Sequence, residues 1–225
     1  MVLLLVLPAC SDDRDRGGAD HVLAGGAAED RDEATFVMAS GADVVRVRAA
    51  DLGGDLYRVA TPDDAKVVPK VHLDQDTITT TVADAPGSGP AVVTAELSAR
   101  VRWRIRLEGG AKEEVVDLTE GKATAVEIVA GTSLAEVRLP PPEGRVQVSL
   151  AGGASDLKVH LAGSYPAQVR VGGGAGTVTV DDDHRTGVAA GTVLTSGDWT
   201  GSGDRYEIEL SAGVSRLSVS RTATG

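Results

Sequence analysis

The sequence predicts an all-β fold, a single-stranded β-solenoid in which short strands stack coil upon coil, and three observations predict it. Apolar residues alternate with polar ones along most of the chain. A small-residue turn returns at nearly constant intervals, and no segment sustains a helical period. A β-sandwich whose hairpins happen to have similar lengths is the alternative.

The alternation is longest from Val93 to Leu107. Val93, Ala95, Leu97, Ala99, Val101, Trp103, Ile105 and Leu107 are apolar there, and the residues between them are mostly polar or charged, as in a half-buried strand. The pattern returns at Ala135, Val137 and Leu139; at Val146, Val148 and Leu150; at Leu157, Val159 and Leu161; at Val169 and Val171; at Val178 and Val180; at Tyr206, Ile208 and Leu210; and at Leu217 and Val219. Between these runs stand Gly109-Gly110-Ala111, Ala130-Gly131-Thr132, Gly152-Gly153-Ala154, Gly173-Gly174-Ala175 and Ala212-Gly213-Val214, whose middle residues are 21, 22, 21 and 39 positions apart. A period near 20 residues suits a stack in which each coil buries its apolar face on the next. Residues 35–82 carry the same grammar more loosely, with Ser40-Gly41-Ala42 as a turn, and 85–90 (APGSGP) is either a long surface loop or an internal break between two halves. The stretch from Asp181 to Gly203 reads as a loop-rich insertion before a last hairpin. With only six aromatic residues among 225, the core must be built from Val, Leu, Ile and Ala. Trp103 falls on the apolar face of its run and is expected in that core.

The chain opens MVLLLVLPAC. Its apolar stretch is far shorter than the about 20 residues that span a bilayer and has the form of a secretory signal core followed by a small-residue cleavage site. Leu7, Pro8, Ala9 and Cys10 resemble the lipobox of bacterial lipoproteins, with Pro8 where a small or β-branched residue is usual. The resemblance implies that Cys10 is acylated, becomes the mature first residue and anchors the protein to the cell membrane on its extracytoplasmic side. Residues 11–33, rich in Asp, Arg, Gly and Ala, have too little apolar surface to offset the entropy of ordering and are expected to form a flexible polar tether. The expected organisation is therefore a signal segment over 1–10, a tether over 11–33 and a repetitive β-domain over 34–220. Cys10 is the single cysteine, so no intrachain disulfide staples that domain.

A net charge of −11 argues against nucleic acid as a partner, because a binder must offer phosphates a basic patch. Arg102, Arg104 and Arg106 read as one solvated strand face. Asp181-Asp182-Asp183 lacks the alternating acids, central Gly and late Glu of a calcium loop. His21, His72, His160 and His184 are far apart, so no metal site is expected. Gly172 to Gly176 lacks the Lys-Ser/Thr pair and helix of a phosphate loop and is a turn. No GxSxG is present, and no cofactor and no catalytic residues are expected. Trp199, in a Gly-rich stretch, and Asp181, Asp182 and Asp183 form the expected contact loop.

The succession from Trp103 through Arg104, Ile105, Arg106 and Leu107 to Gly109-Gly110-Ala111, then Asp117-Leu118, Gly131, Leu139-Pro140, Gly144, Gly152-Gly153-Ala154 and Gly173-Gly174, is similar to bacterial envelope domains of the toast-rack type. These occur in cell-wall-stress response proteins and in adhesin families. The resemblance, which runs from Thr35 to Ser220, implies a single-stranded β-solenoid and supplies no catalytic residues. The expected protein is a non-enzymatic, envelope-anchored lipoprotein whose solenoid binds an envelope protein or a wall polymer. An accessory sensor of envelope stress and a polysaccharide-active β-helix enzyme are the alternatives.

Overall fold

The computed structural model describes residues 20–29, 31–196 and 198–222, and every helix-or-strand element among them is a strand. Leu7, Pro8, Ala9, Cys10 and the tether as far as residue 19 lie outside the described residues. In chain order the amino-terminal strands are β1 (Val22–Ala27), β2 (Glu33–Met38), β3 (Ala42–Ala50), β4 (Asp55–Ala60), β5 (Val67–Asp74), β6 (Thr77–Asp84) and β7 (Val92–Ser98). The middle of the chain gives β8 (Arg102–Leu107), β9 (Ala111–Asp117), β10 (Lys122–Ile128), β11 (Thr132–Arg138), β12 (Arg145–Leu150) and β13 (Ala154–Ala162). The last are β14 (Ala167–Val171), β15 (Ala175–Val180), β16 (Asp183–Val188), β17 (Thr192–Ser196), β18 (Arg205–Leu210) and β19 (Val214–Thr222).

These strands make two open mixed sheets, a ten-stranded one in the order β1-β4-β7-β3-β9-β11-β13-β19-β15-β16 and a nine-stranded one in the order β17-β14-β18-β12-β10-β8-β2-β6-β5. One coil is a strand in the nine-stranded sheet, a turn, and the next strand in the ten-stranded sheet. Like strands of successive coils lie side by side in parallel, from β8 on β10 and β10 on β12 to β9 on β11 and β11 on β13. Parallel strands cannot be joined by a tight hairpin, and crossing to the facing sheet supplies the connection.

Chain order and stacking order differ at both ends. Along the stack the coils run β6/β7, β2/β3, β8/β9, β10/β11, β12/β13, β18/β19, β14/β15. The first coil of the chain sits inside the second, and the last coil is inserted between β12/β13 and β14/β15. Antiparallel strands close each end: β4 on β7 with β1 beyond it, β5 on β6, β16 on β15 and β17 on β14.

The inward residues of both sheets form one core that runs from Ala28 to Val219. Phe36, Met38, Leu97, Ile105, Leu107, Leu139, Val159, Ile208 and Leu217 are all fully buried there. Each side chain of this size contributes about 1.5–3 kcal/mol by leaving water. Trp103 is in the core as expected, and its indole Nε1–H donates to the Ser98 carbonyl at 2.9 Å, so the one polar atom it buries is satisfied.

The small-residue turns stack into a ladder whose first position alternates. In stacking order it reads Ser40, Gly109, Ala130, Gly152, Ala212, Gly173. A Cβ on Gly152 would lie 2.3 Å from the Ala130 carbonyl carbon, and one on Gly173 would lie 2.3 Å from that of Ala212. Every second coil therefore lacks a side chain so that the coil beneath can keep one. On the outer faces the charges are cross-linked between coils. Arg104 and Arg106 both bind Glu127, Arg138 binds Asp117 and Glu136, and Arg216 binds Asp156.

Four readings of the sequence change here. The run from Val93 to Leu107 is two strands, β7 and β8, in opposite sheets; the turn at 99–101 preserves the parity, so one unbroken alternation hides a change of sheet. The tether contains β1, which pairs with β4 from Val22↔Ala60 to Ala27↔Asp55: a short, Gly-containing apolar segment gains order by extending a sheet edge. The insertion from Asp181 to Gly203 contains β16 and β17, two end strands. The last hairpin is instead a coil, with β18 and β19 in different sheets. At 85–90 the chain turns back against Ala65, and the core continues on either side of it.

Candidate functional site

The two edges of the solenoid differ. Where the chain passes from the nine-stranded to the ten-stranded sheet, six passages are uniform three-residue turns of mostly small residues, and the seventh, 85–91 between β6 and β7, is longer. The return passages are irregular: residues 99–101, 118–121, 139–144 and 163–166 differ in length and carry Pro, Tyr, Glu and Arg. Irregular loops held by a rigid scaffold are where binding residues usually collect.

A groove of about 530 Å³ opens on this return edge, lined by Arg102, Lys122, Glu143, Tyr165, Asp204 and the run Pro140-Pro141-Pro142, with 119–121 at its side. Each wall is fixed by bonds to the scaffold. Three successive prolines leave the backbone little freedom. The buried Tyr206 hydroxyl donates to the Pro140 carbonyl at 2.7 Å and lies 3.3 Å from that of Ala162, pinning two return passages to β18. Burial raises the Tyr206 phenol well above its usual range, so it stays a donor. Tyr165 meets the Tyr206 ring edge to face, centroids 6.4 Å apart. Arg221 donates to the Tyr165 carbonyl at 2.6 Å and the Gly163 carbonyl at 3.2 Å.

The charges in the groove are mixed. Arg102 donates to the Glu143 carbonyl at 3.1 Å and pairs with the Glu143 carboxylate, which Lys122 approaches at 4.0 Å. The Asp204 carboxylate accepts from the Gly144 amide at 2.6 Å. Asp204 leads into β18, so it reaches the proline wall because the last coil is inserted beside β12.

The residues of the expected contact loop lie on the β15–β16 turn and after β17, and Arg221 reaches both, pairing with Asp181 and donating to the Ser196 hydroxyl at 2.6 Å. Asp181 opens the β15–β16 turn with a φ of 53° and pairs with Arg221 at 3.1 Å. Asp182 is exposed. Asp183 pairs with Arg185 at 2.7 Å, which holds its carboxyl below the usual range. Trp199 is half-buried between β17 and β18, outside the groove lining. Among the described residues, no group of three or more His, Cys, Asp or Glu side chains is placed to hold a metal ion. Cys10 and its lipobox neighbours lie outside the described residues.

One titratable group stands apart from the groove. Glu114 points inward from β9, with Val45 of β3 and Ala135 of β11 as its neighbours in register. It is 1% exposed, neither carboxyl oxygen has a hydrogen-bond partner, and desolvation pushes its pKa up to about 8.

With this geometry the fold has a solved counterpart. A crystal structure from Clostridium sporogenes ATCC 15579, described as a "putative cell adhesion protein", superposes with a TM-score of 0.58 over 89% of this chain and 98% of its own, at 15% sequence identity. At that identity the likeness is one of fold. A second structure, from Bacteroides fragilis NCTC 9343 and described as a "putative adhesin", aligns over 90% of this chain and 98% of its own at 9% identity, with a TM-score of 0.27. No family model and no curated protein matches the chain.

Proposed function

We propose that the protein is a non-enzymatic lipoprotein of the cell envelope, held to the membrane through a lipid on Cys10. Its solenoid stands outside the cytoplasm and binds an envelope protein or wall polymer in the return-edge groove. The contrast between the two edges carries this reading. Side chains able to stack, accept and donate converge around the groove on the return edge, on walls already fixed by Tyr206, Arg221 and three prolines, so a ligand would spend little free energy ordering them. Adhesion, the role named for the Clostridium protein of like fold, is consistent with such a module.

Two measurements test it. Cys10→Ala should lose fatty-acid labelling and leave the membrane fraction; labelling and fractionation unchanged from wild type would refute the anchor. Immobilised full chain should retain envelope material, and Lys122→Glu or Tyr165→Ala should lower that retention about tenfold, as expected for the loss of one central contact. Equal retention by all three would remove the groove from the account.

A further inference from the structure

An open sheet offers unpaired backbone groups at its edges, and three of the four edge strands carry features that discourage pairing with another chain. The ladder of β1 is interrupted at Gly26, whose φ is +69°. β5 contains Pro69, which has no N–H to donate, followed by Lys70. In β16, Asp183 and Arg185 are paired across the ladder with the inward residues Val180 and Val178, so an ion pair covers the end of the core. The fourth edge has none of this. β17 reads Thr192-Val193-Leu194-Thr195-Ser196, with no charge, proline or glycine. It pairs with β14 on one side, no strand among the described residues pairs on the other, and Val193 is 44% exposed.

We propose that β17 pairs antiparallel with β17 of a second copy of this chain, forming a two-fold dimer that continues the nine-stranded sheet across both molecules. A strand centred on Leu194 is complementary to itself: Leu194 meets Leu194 of the copy on the inner side, and Val193 lies opposite Thr195 on the outer side. No charge is left unanswered. A two-fold axis normal to the sheets also sets the two β16 strands antiparallel. A copy of this chain therefore suits β17, whereas a charged foreign strand would find no counter-charge on it. A ladder of five residues falls below the about 1,000 Å² of a lasting interface, so association is weak and rises with concentration.

Sedimentation equilibrium of the full chain in density-matched detergent tests this. Wild type should show a monomer–dimer equilibrium. Val193→Lys, a change at an exposed site that sets two lysines into the interface, should raise the dissociation constant at least about tenfold. Val129→Lys, at another exposed valine, should leave it unchanged. A wild type that stays monomeric at every concentration, or a dimer equally strong in the Val193→Lys variant, would overturn the proposal.

Discussion

Glu114 sets the clearest expectation at the scale of a single residue. In the folded protein its carboxyl keeps a proton up to about pH 8, whereas in the unfolded chain it releases it near the ordinary 4.5. Between those values the unfolded state binds fewer protons, so stability falls as pH rises from about 4.5 to 8 and is level above. At neutral pH the cost is on the order of 3 kcal/mol. Glu114→Gln should abolish this component: in urea unfolding at pH 5 and pH 8, wild type should lose stability between the two and the variant should lose much less. Parallel losses in both proteins would show that Glu114 ionises normally. The residue was legible in the sequence through alignment of the turns, since the third position after each turn's last residue reads Val45, Glu114, Ala135, Leu157, Val178 and Leu217. An alternation scan passes over it because a one-residue irregularity after each turn shifts the parity; the ladder skips Lys112 and Ser133.

At the scale of the element, the ladder turns and the return passages follow different rules. Gly152→Ala would drive a methyl into the Ala130 backbone, while Gly153→Ala meets the nearest atom at an ordinary 3.6 Å. The first should cost about 1–3 kcal/mol and the second within about 0.5 kcal/mol of nothing, measured as shifts in the unfolding midpoint. Equal costs would mean that the turns do not stack as described. The strands from Val146 to Val180 and from Tyr206 to Val219 were legible because alternation and glycine signals agree there. β1, β16 and β17 were not, because each is short and carries or adjoins glycine, and an end strand is buried on one side only. The groove was hidden for a related reason: Arg102, Pro140, Tyr165 and Asp204 are far apart in sequence and meet only once the coils are stacked.

For the whole molecule, the decisive feature is the exchange of coils at the ends. Read in chain order, the first turn position runs Ser40, Gly109, Ala130, Gly152, Gly173, Ala212, and its alternation fails at the fifth member. With the last coil moved inside, it becomes regular. Insertion of that coil also carries Asp204 to the proline wall and Tyr206 to the Pro140 carbonyl, so the proposed binding groove depends on it. The constant repeat made a solenoid predictable, but a repeat of equal coils contains no order of its own. What distinguishes one stacking from another is the fit of neighbouring turns and a few contacts between coils, such as Tyr206 on Pro140 and Asp204 on Gly144. The most direct test is therefore a cross-linking comparison in a Cys10→Ser background. Ser149 and Glu209 lie on adjacent strands in register, whereas Ser149 and Arg170 are two strands apart, roughly 9–10 Å, with β18 between them. A short bis-methanethiosulfonate, which forms a disulfide with each thiol and releases sulfinate, should join cysteines at 149 and 209 and fail to join cysteines at 149 and 170; efficient joining of 149 to 170, with none between 149 and 209, would contradict the inserted coil.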